Sequence, residues 1–274
     1  MNEMKIVCSA RPLVIVLAVV LVMCVVCGTA AAEVRYTYVD TFPTGGDRNV
    51  HVTSSLKEAL ESPDFDVVVV TKDITITDNI VVNGSKTLIS YYPAGTEINA
   101  NSAYITIPSD ADLTLGTGMN EVNIHGANGD AALFLVDGGT LTMKDQVKLY
   151  GNNARNGVIK VTGAGYFHME GGEITQNTLT EWGSAVYIES ADLLPPGVRF
   201  RMSGGNISSN TARLISGGVY IGNNAEFIMN GGAIYGNTGY TGGGVLVGPG
   251  GKFTQNYGTI AENNADRSMG YGGG

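Results

Sequence analysis

From residue 104 onward, apolar residues alternate by two over very short stretches and then stop at a glycine or an asparagine. Phe227 and Met229 alternate with Ile228 and Asn230, and Val245 and Val247 alternate with Leu246. Alternation by two predicts strands with one buried face. A third, shorter apolar segment follows each glycine corner and carries Ile174, Ile207, Ile234 and Ile260. No unit holds a 10-residue stretch of helical period, which argues against alternating strand–helix units. The exception lies earlier. "TSSLKEALE" at 53–61 predicts a short amphipathic helix with Leu56, Ala59 and Leu60 on one face. Ser55 with Glu58 forms an S-x-x-E capping box at its start.

The short strands repeat. F-x-M-x-G-G-x-I-x-x-N begins at Phe167, Phe200 and Phe227, a degraded copy starts at Phe253, and fainter relatives start at Leu141 and Leu113. The starts lie 28, 26, 33, 27 and 26 residues apart. A second pattern, "GGVYI" at 217–221 and "GGVLV" at 243–247, precedes the first, with relatives at 184, 157, 132 and 104. From its first inward residue to the F-x-M strand is 8 residues for Ile105, Leu133, Ile159, Val219 and Val245, and 14 for Val186. Constant spacing with one local insertion is the mark of a structural repeat carrying a loop on one face.

Three short strands and three turns in about 26 residues cannot bury an inner face alone, whereas stacked units bury a continuous column. The expected fold is an all-β, right-handed parallel β-helix. Phe167, Phe200, Phe227 and Phe253 form one inward column, and Met143, Met169, Met202 and Met229 another. Gly-Gly pairs supply corners. Asn177, Asn210, Asn237 and Asn263 recur at the next turn, where asparagine tolerates left-handed backbone and stacked amides can bond one another. They are expected to form a structural ladder. The short helix would cover the open edge of the first coil. At the other end, Gly272-Gly273-Gly274 matches Gly242-Gly243-Gly244 without the strand that follows there, so the β-helix is expected to continue beyond Gly274.

Composition sharpens this picture. The chain has 274 residues, 39 of them glycine, and 15% charged, without a collagen period. Acids outnumber bases 25 to 16, which argues against a nucleic-acid partner. Residues 1–32 stand apart. Lys5 and Arg11 precede an apolar run from Leu13 to Cys27, and Ala30-Ala31-Ala32 ends it. This is the pattern of a cleavable secretory signal, too short for a spanning helix. All three cysteines lie there, so the mature chain would hold together without disulfides or a membrane span. Three regions are expected: the signal at 1–32, a cap region with the helix at 33–62, and the β-helix at 63–274. The chain is expected to be secreted or held at the cell surface.

Candidate chemistry is sparse. "TGGGV" has no GK[ST] and opens no helix, so no cofactor is expected. His51, His125 and His168 are too scattered for a metal site, and His125 reads as a turn residue. A hydrolase would need paired carboxylates on neighbouring coils. Asp64 with Asp66 and Asp110 with Asp112 share alternation but have no match one coil away, so no catalytic residue is assigned. Arg199 and Arg201 are expected to face outward together. The outward position of the GGVYI strand gives a column of Phe134, Lys160, Tyr187, Tyr220 and Leu246. Beside it, the insertion at 189–198 carries Leu193 and Leu194. Aromatics in register can stack on sugar rings or pack on a partner, so this face and loop are the expected contact surface.

These repeats resemble the right-handed parallel β-helix family with the pectin-lyase-like fold, over about residues 50–274. More narrowly, "GGAI" at 231–234 and F-x-x-N at Phe227–Asn230 and Phe253–Asn256 resemble the repeats of polymorphic outer-membrane proteins of chlamydiae, which are adhesin-like surface proteins. The resemblance implies surface display, with a glycan or a host or cell-surface protein as partner, or a passive scaffold. The alternative it leaves is a polysaccharide lyase or glycoside hydrolase acting on acidic polysaccharide.

Overall fold

The computed structural model describes residues 36–39, 51–53, 55–116, 120–180, 183–189 and 197–269. The expected signal segment, Leu193, Leu194 and the terminal glycines lie outside the described residues. The remainder forms a parallel β-solenoid. Its strands pair in parallel with the equivalent strand one coil away, as the repeat demands, because only stacking buries their apolar face.

The coils are built on three walls. The first runs from Ser85–Ser90 through Asp112–Leu115, Thr140–Met143, Tyr166–Met169 and Gly197–Met202 to Ala225–Tyr235 and Lys252–Ala261. The second stacks Ile74–Thr75, Thr96–Asn99, Val122–His125, Val147–Tyr150, Glu173–Thr175 and Asn206–Ser208. Its later part joins the first wall, since Ala225–Tyr235 bends through the corner as one strand. The third holds seven strands, from Ile80–Val81 to Val245–Val247. Two-residue strands after the asparagine turn add a fourth, six-stranded ladder that the repeat pattern did not predict.

The core follows the inward columns. Phe167, Phe200, Phe227 and Phe253 pair in register, with ring centroids 4.9, 4.3 and 5.0 Å apart. Met143, Met169, Met202 and Met229 follow beside them, fully buried. At the corners the second glycine is left-handed: φ is +77° at Gly172, +79° at Gly205 and +79° at Gly232. A Cβ at Gly205 would lie 2.6 Å from the carbonyl oxygen of Gly172, so the stacking distance itself requires glycine.

The asparagine ladder forms, and it is one rung longer than expected. Asn152 Nδ2 donates to Asn177 Oδ1 at 2.9 Å, Asn177 to Asn210 at 2.8 Å, Asn210 to Asn237 at 2.9 Å and Asn237 to Asn263 at 3.0 Å. The left-handed residue is not the asparagine but the one before it: φ is 61° at Gly151, 55° at Gln176, 54° at Ser209, 62° at Gly236 and 56° at Glu262. Asparagine is required for its amide, and the backbone strain falls on its neighbour. Ser209→Gly should therefore stabilise the protein by about 0.5–1 kcal/mol, relief of left-handed strain outweighing the chain entropy of glycine. The expected rise in melting temperature is about 1–4 °C by calorimetry; an unchanged or lower value would contradict this origin of the strain.

At the N-terminal end, helix α1 spans Leu56–Glu61 and buries Leu56, Ala59 and Leu60 in the solenoid core. Ser55 caps it by accepting from the Glu58 backbone N–H at 3.3 Å. The return half of the capping box is relayed, because Glu58 takes the Thr53 hydroxyl, which in turn accepts from the Ser55 N–H. The helix covers the core as expected, but the first wall continues beyond it. Tyr36–Val39 pairs beside Val67–Val70, and His51–Thr53 pairs beyond that. No helix among the described residues is long and apolar enough to cross a membrane.

Candidate functional site

The third wall carries the surface that the sequence singled out, with one correction. Lys160, Tyr187, Tyr220 and Leu246 stand in register on its outer face, all half-buried. Phe134 does not join them. It is 0% exposed and pairs with Ile105 and Ile159 in the inward column, and Leu135 takes the outward place. In this coil the turn after Val136 is one residue tighter, since Val136 lies five positions before Leu141 whereas Val161 lies six before Phe167. Counting back eight therefore lands on Leu133, one residue early. Leu133 is also buried, just before the strand, so composition could not separate the two registers.

On that face the Tyr187 and Tyr220 rings stack with centroids 5.0 Å apart and planes 24° from parallel. The Lys160 ammonium lies 5.8 Å from the Tyr187 ring centroid and pairs with Glu189 at 2.9 Å. Burial raises the Tyr187 phenol above its ordinary value, helped by Tyr220 and Glu189, so its hydroxyl stays a donor at neutral pH. On the first wall, Arg201 donates from Nε to the Tyr166 hydroxyl at 3.2 Å, and His168 Nε2 lies 3.1 Å from Ser203 Oγ. Burial holds His168 below the usual histidine value. Arg199 and Arg201 are both half-buried on either side of the buried Phe200, with Arg199 at a bulge between Val198 and Phe200.

The sequence missed a second surface. The corner between the first two walls shortens along the axis. Leu88 to Glu97 is nine residues, Leu115 to Asn123 eight, Met143 to Lys148 five, and Met169 to Glu173 four. Where the corner steps down, a cleft of about 500 Å3 opens on the outer face of the second wall. Glu97, Asn123, Lys148 and Glu173 line it from register positions on successive strands, while Glu121 and Asp145 line it from the corners. His125 is not a turn residue: it ends the strand Val122–His125, with its ring 5.2 Å from that of Tyr150 and its Nε2 3.7 Å from Glu97.

Glu97 is the hub. Its Oε1 accepts from Asn123 Nδ2 at 3.1 Å and its Oε2 from the Tyr150 hydroxyl at 2.9 Å. Burial, and then the bond to Glu97, raise the Tyr150 phenol above its ordinary value. The Lys148 ammonium lies 5.2 Å from the Tyr150 ring centroid. Asp112 itself stands in register with Ser85 and Thr140 rather than with acids, and it is a different set, Glu97, Glu121, Asp145 and Glu173, that gathers from four successive coils. The sequence held one signal of the cleft, the extra residue in "LTMKDQVKLYGN". Among the described residues, no group of three or more His, Cys, Asp or Glu side chains converges to hold a metal ion.

Wall order, register and the asparagine ladder define the class of this chain as a parallel β-solenoid. Comparison with protein-family models, with curated proteins and with solved structures returns no match.

Proposed function

We propose that the chain is a non-catalytic β-solenoid displayed outside the cell, adhesin-like or a scaffold, which holds a glycan or a protein partner on the outer face of its third wall. The observation that carries this reading is the Lys160–Tyr187–Tyr220 column, where two phenol rings and an ammonium are held in register by the strands beneath. Such rings offer a flat apolar face with a polar edge, the surface that sugar rings and interface residues pack on. The charged start, apolar run and small residues of 1–32 support export, and the likeness to the pectin-lyase-like fold and to adhesin repeats agrees with it.

Replacing Tyr187 and Tyr220 together with serine should abolish binding to cells or to a glycan array, with far-ultraviolet circular dichroism unchanged. Undiminished binding by a folded double variant would refute the reading.

The acids on successive coils favour a second reading, a carbohydrate-active enzyme working in the cleft. Two features weigh against acidic polysaccharide as its substrate. Four carboxylates repel a polyanion, and both oxygens of Glu97 already accept hydrogen bonds from the protein. Release of reducing or unsaturated ends from polyuronides would favour this second reading over the first.

A further inference from the structure

We propose that the cleft on the second wall binds a linear ligand carrying primary ammonium groups, the chemistry shared by amino-sugar oligomers and aliphatic polyamines. This is a different face from the Tyr187–Tyr220 column and stands independently of it.

Charge is the first ground. The cleft draws carboxylates from Glu97, Glu121, Asp145 and Glu173, and the only cation among the described residues that line it is Lys148. Stacked strands repeat about every 4.8 Å, so these acids run along the solenoid axis and favour an extended ligand. They contribute one per coil, whereas a calcium ion needs six to eight oxygens gathered around one point.

Asn123 is the second and independent ground. It is 8% exposed, lines the cleft, and shares the outer face with Glu97 and Lys148. Its Nδ2 is bound to Glu97, but its Oδ1 is buried without a donor among the described residues. A buried acceptor left unpaired costs free energy until a donor arrives. Glu97 and Glu121, which accept from its Nδ2, are themselves partly exposed, so the acids beside Asn123 have room to rearrange around a ligand. An ammonium brings three donors and no acceptor, so it satisfies Asn123 and the carboxylates together, which an anion or an acceptor-rich neutral ligand does not. The volume, about 500 Å3, suits a ligand of a few rings or an alkyl chain. The Tyr150 ring, backed by His125, offers one apolar flank.

The test is titration calorimetry of the full chain with glucosamine trimer, spermidine and N-acetylglucosamine trimer. Two double variants accompany it: Glu121→Gln with Glu173→Gln in the cleft, and Asp110→Asn with Asp112→Asn outside it. All four side chains are exposed, so folding should survive, checked by circular dichroism. At least one amine should bind, the acetylated trimer should not, and the cleft variant should bind at least tenfold more weakly while the matched variant binds as wild type. Binding of glucosamine trimer alone identifies an amino sugar, and equal binding of spermidine identifies the ammonium alone. The proposal is overturned if neither amine binds, if the acetylated trimer binds equally, if both variants weaken alike, or if a lysine-rich peptide binds far more tightly than either amine.

Discussion

Asn210→Ala is expected to destabilise the solenoid by about 4 kcal/mol, because one side chain satisfies three neighbours in a dry column. Asn210 is 0% exposed. Its Nδ2 donates to the Ile174 carbonyl at 2.9 Å and to Asn237 Oδ1 at 2.9 Å. Its Oδ1 accepts from the Asn177 backbone N–H at 3.2 Å and from Asn177 Nδ2 at 2.8 Å. Alanine strands the Ile174 carbonyl and two Asn177 donors, each costing about 1–3 kcal/mol when buried unpaired. Asn210→Asp should be worse still. Its carboxylate can accept from Asn177 but cannot donate to Ile174 or Asn237, and it faces two carbonyl oxygens with a buried charge. Asn263→Ala, at the half-buried end of the ladder, should cost only about 1 kcal/mol. Denaturant unfolding of the three variants checks the order. If Asn210→Ala proved as mild as Asn263→Ala, the column would be passive stacking rather than a cooperative network.

Phe200→Ala should cost a comparable amount, about 4–5 kcal/mol, for a different reason. The ring is 0% exposed and lies between Phe167 and Phe227, with centroids 4.9 and 4.3 Å away. Truncation leaves a cavity the walls cannot close, since the strands on either side are pinned by their own ladders, and it removes two ring contacts. Phe253 is half-buried and has one stacking partner at 5.0 Å, so Phe253→Ala should lose less than about 2 kcal/mol. Equal losses at the two sites would show that burial along the column does not set stability.

The inward columns and the ladder were legible because they repeat. Phe167, Phe200 and Phe227 occupy one place in three nearly identical units, and so do Asn177, Asn210 and Asn237. Stacking can place such residues only on top of one another. The helix Leu56–Glu61 was legible from Ser55, Glu58 and one apolar face. Phe134 was misplaced because its coil has a tighter turn and two adjacent buried residues, so the count of eight ended on the wrong one. The cleft was illegible because its hub, Glu97, lies in a coil without the F-x-M pattern. Nor does alignment of the repeats show that a corner shrinking from nine residues to four leaves a step in the surface.

By itself, the sequence determined that the chain winds into parallel coils, which residues of the closely repeated units point inward, and that asparagine amides tie the turns together. Those features are periodic, and a period of about 26 residues with alternation by two has one stable packing. Only the tertiary structure decided which outward side chains meet at the corner between the first two walls. Glu97, Asn123 and Tyr150 come together because stacking brings residues 26 and 53 positions apart into contact. The register of each coil, set by the length of its own turns, chooses which of the many exposed acids become neighbours and which remain isolated on a solvated face.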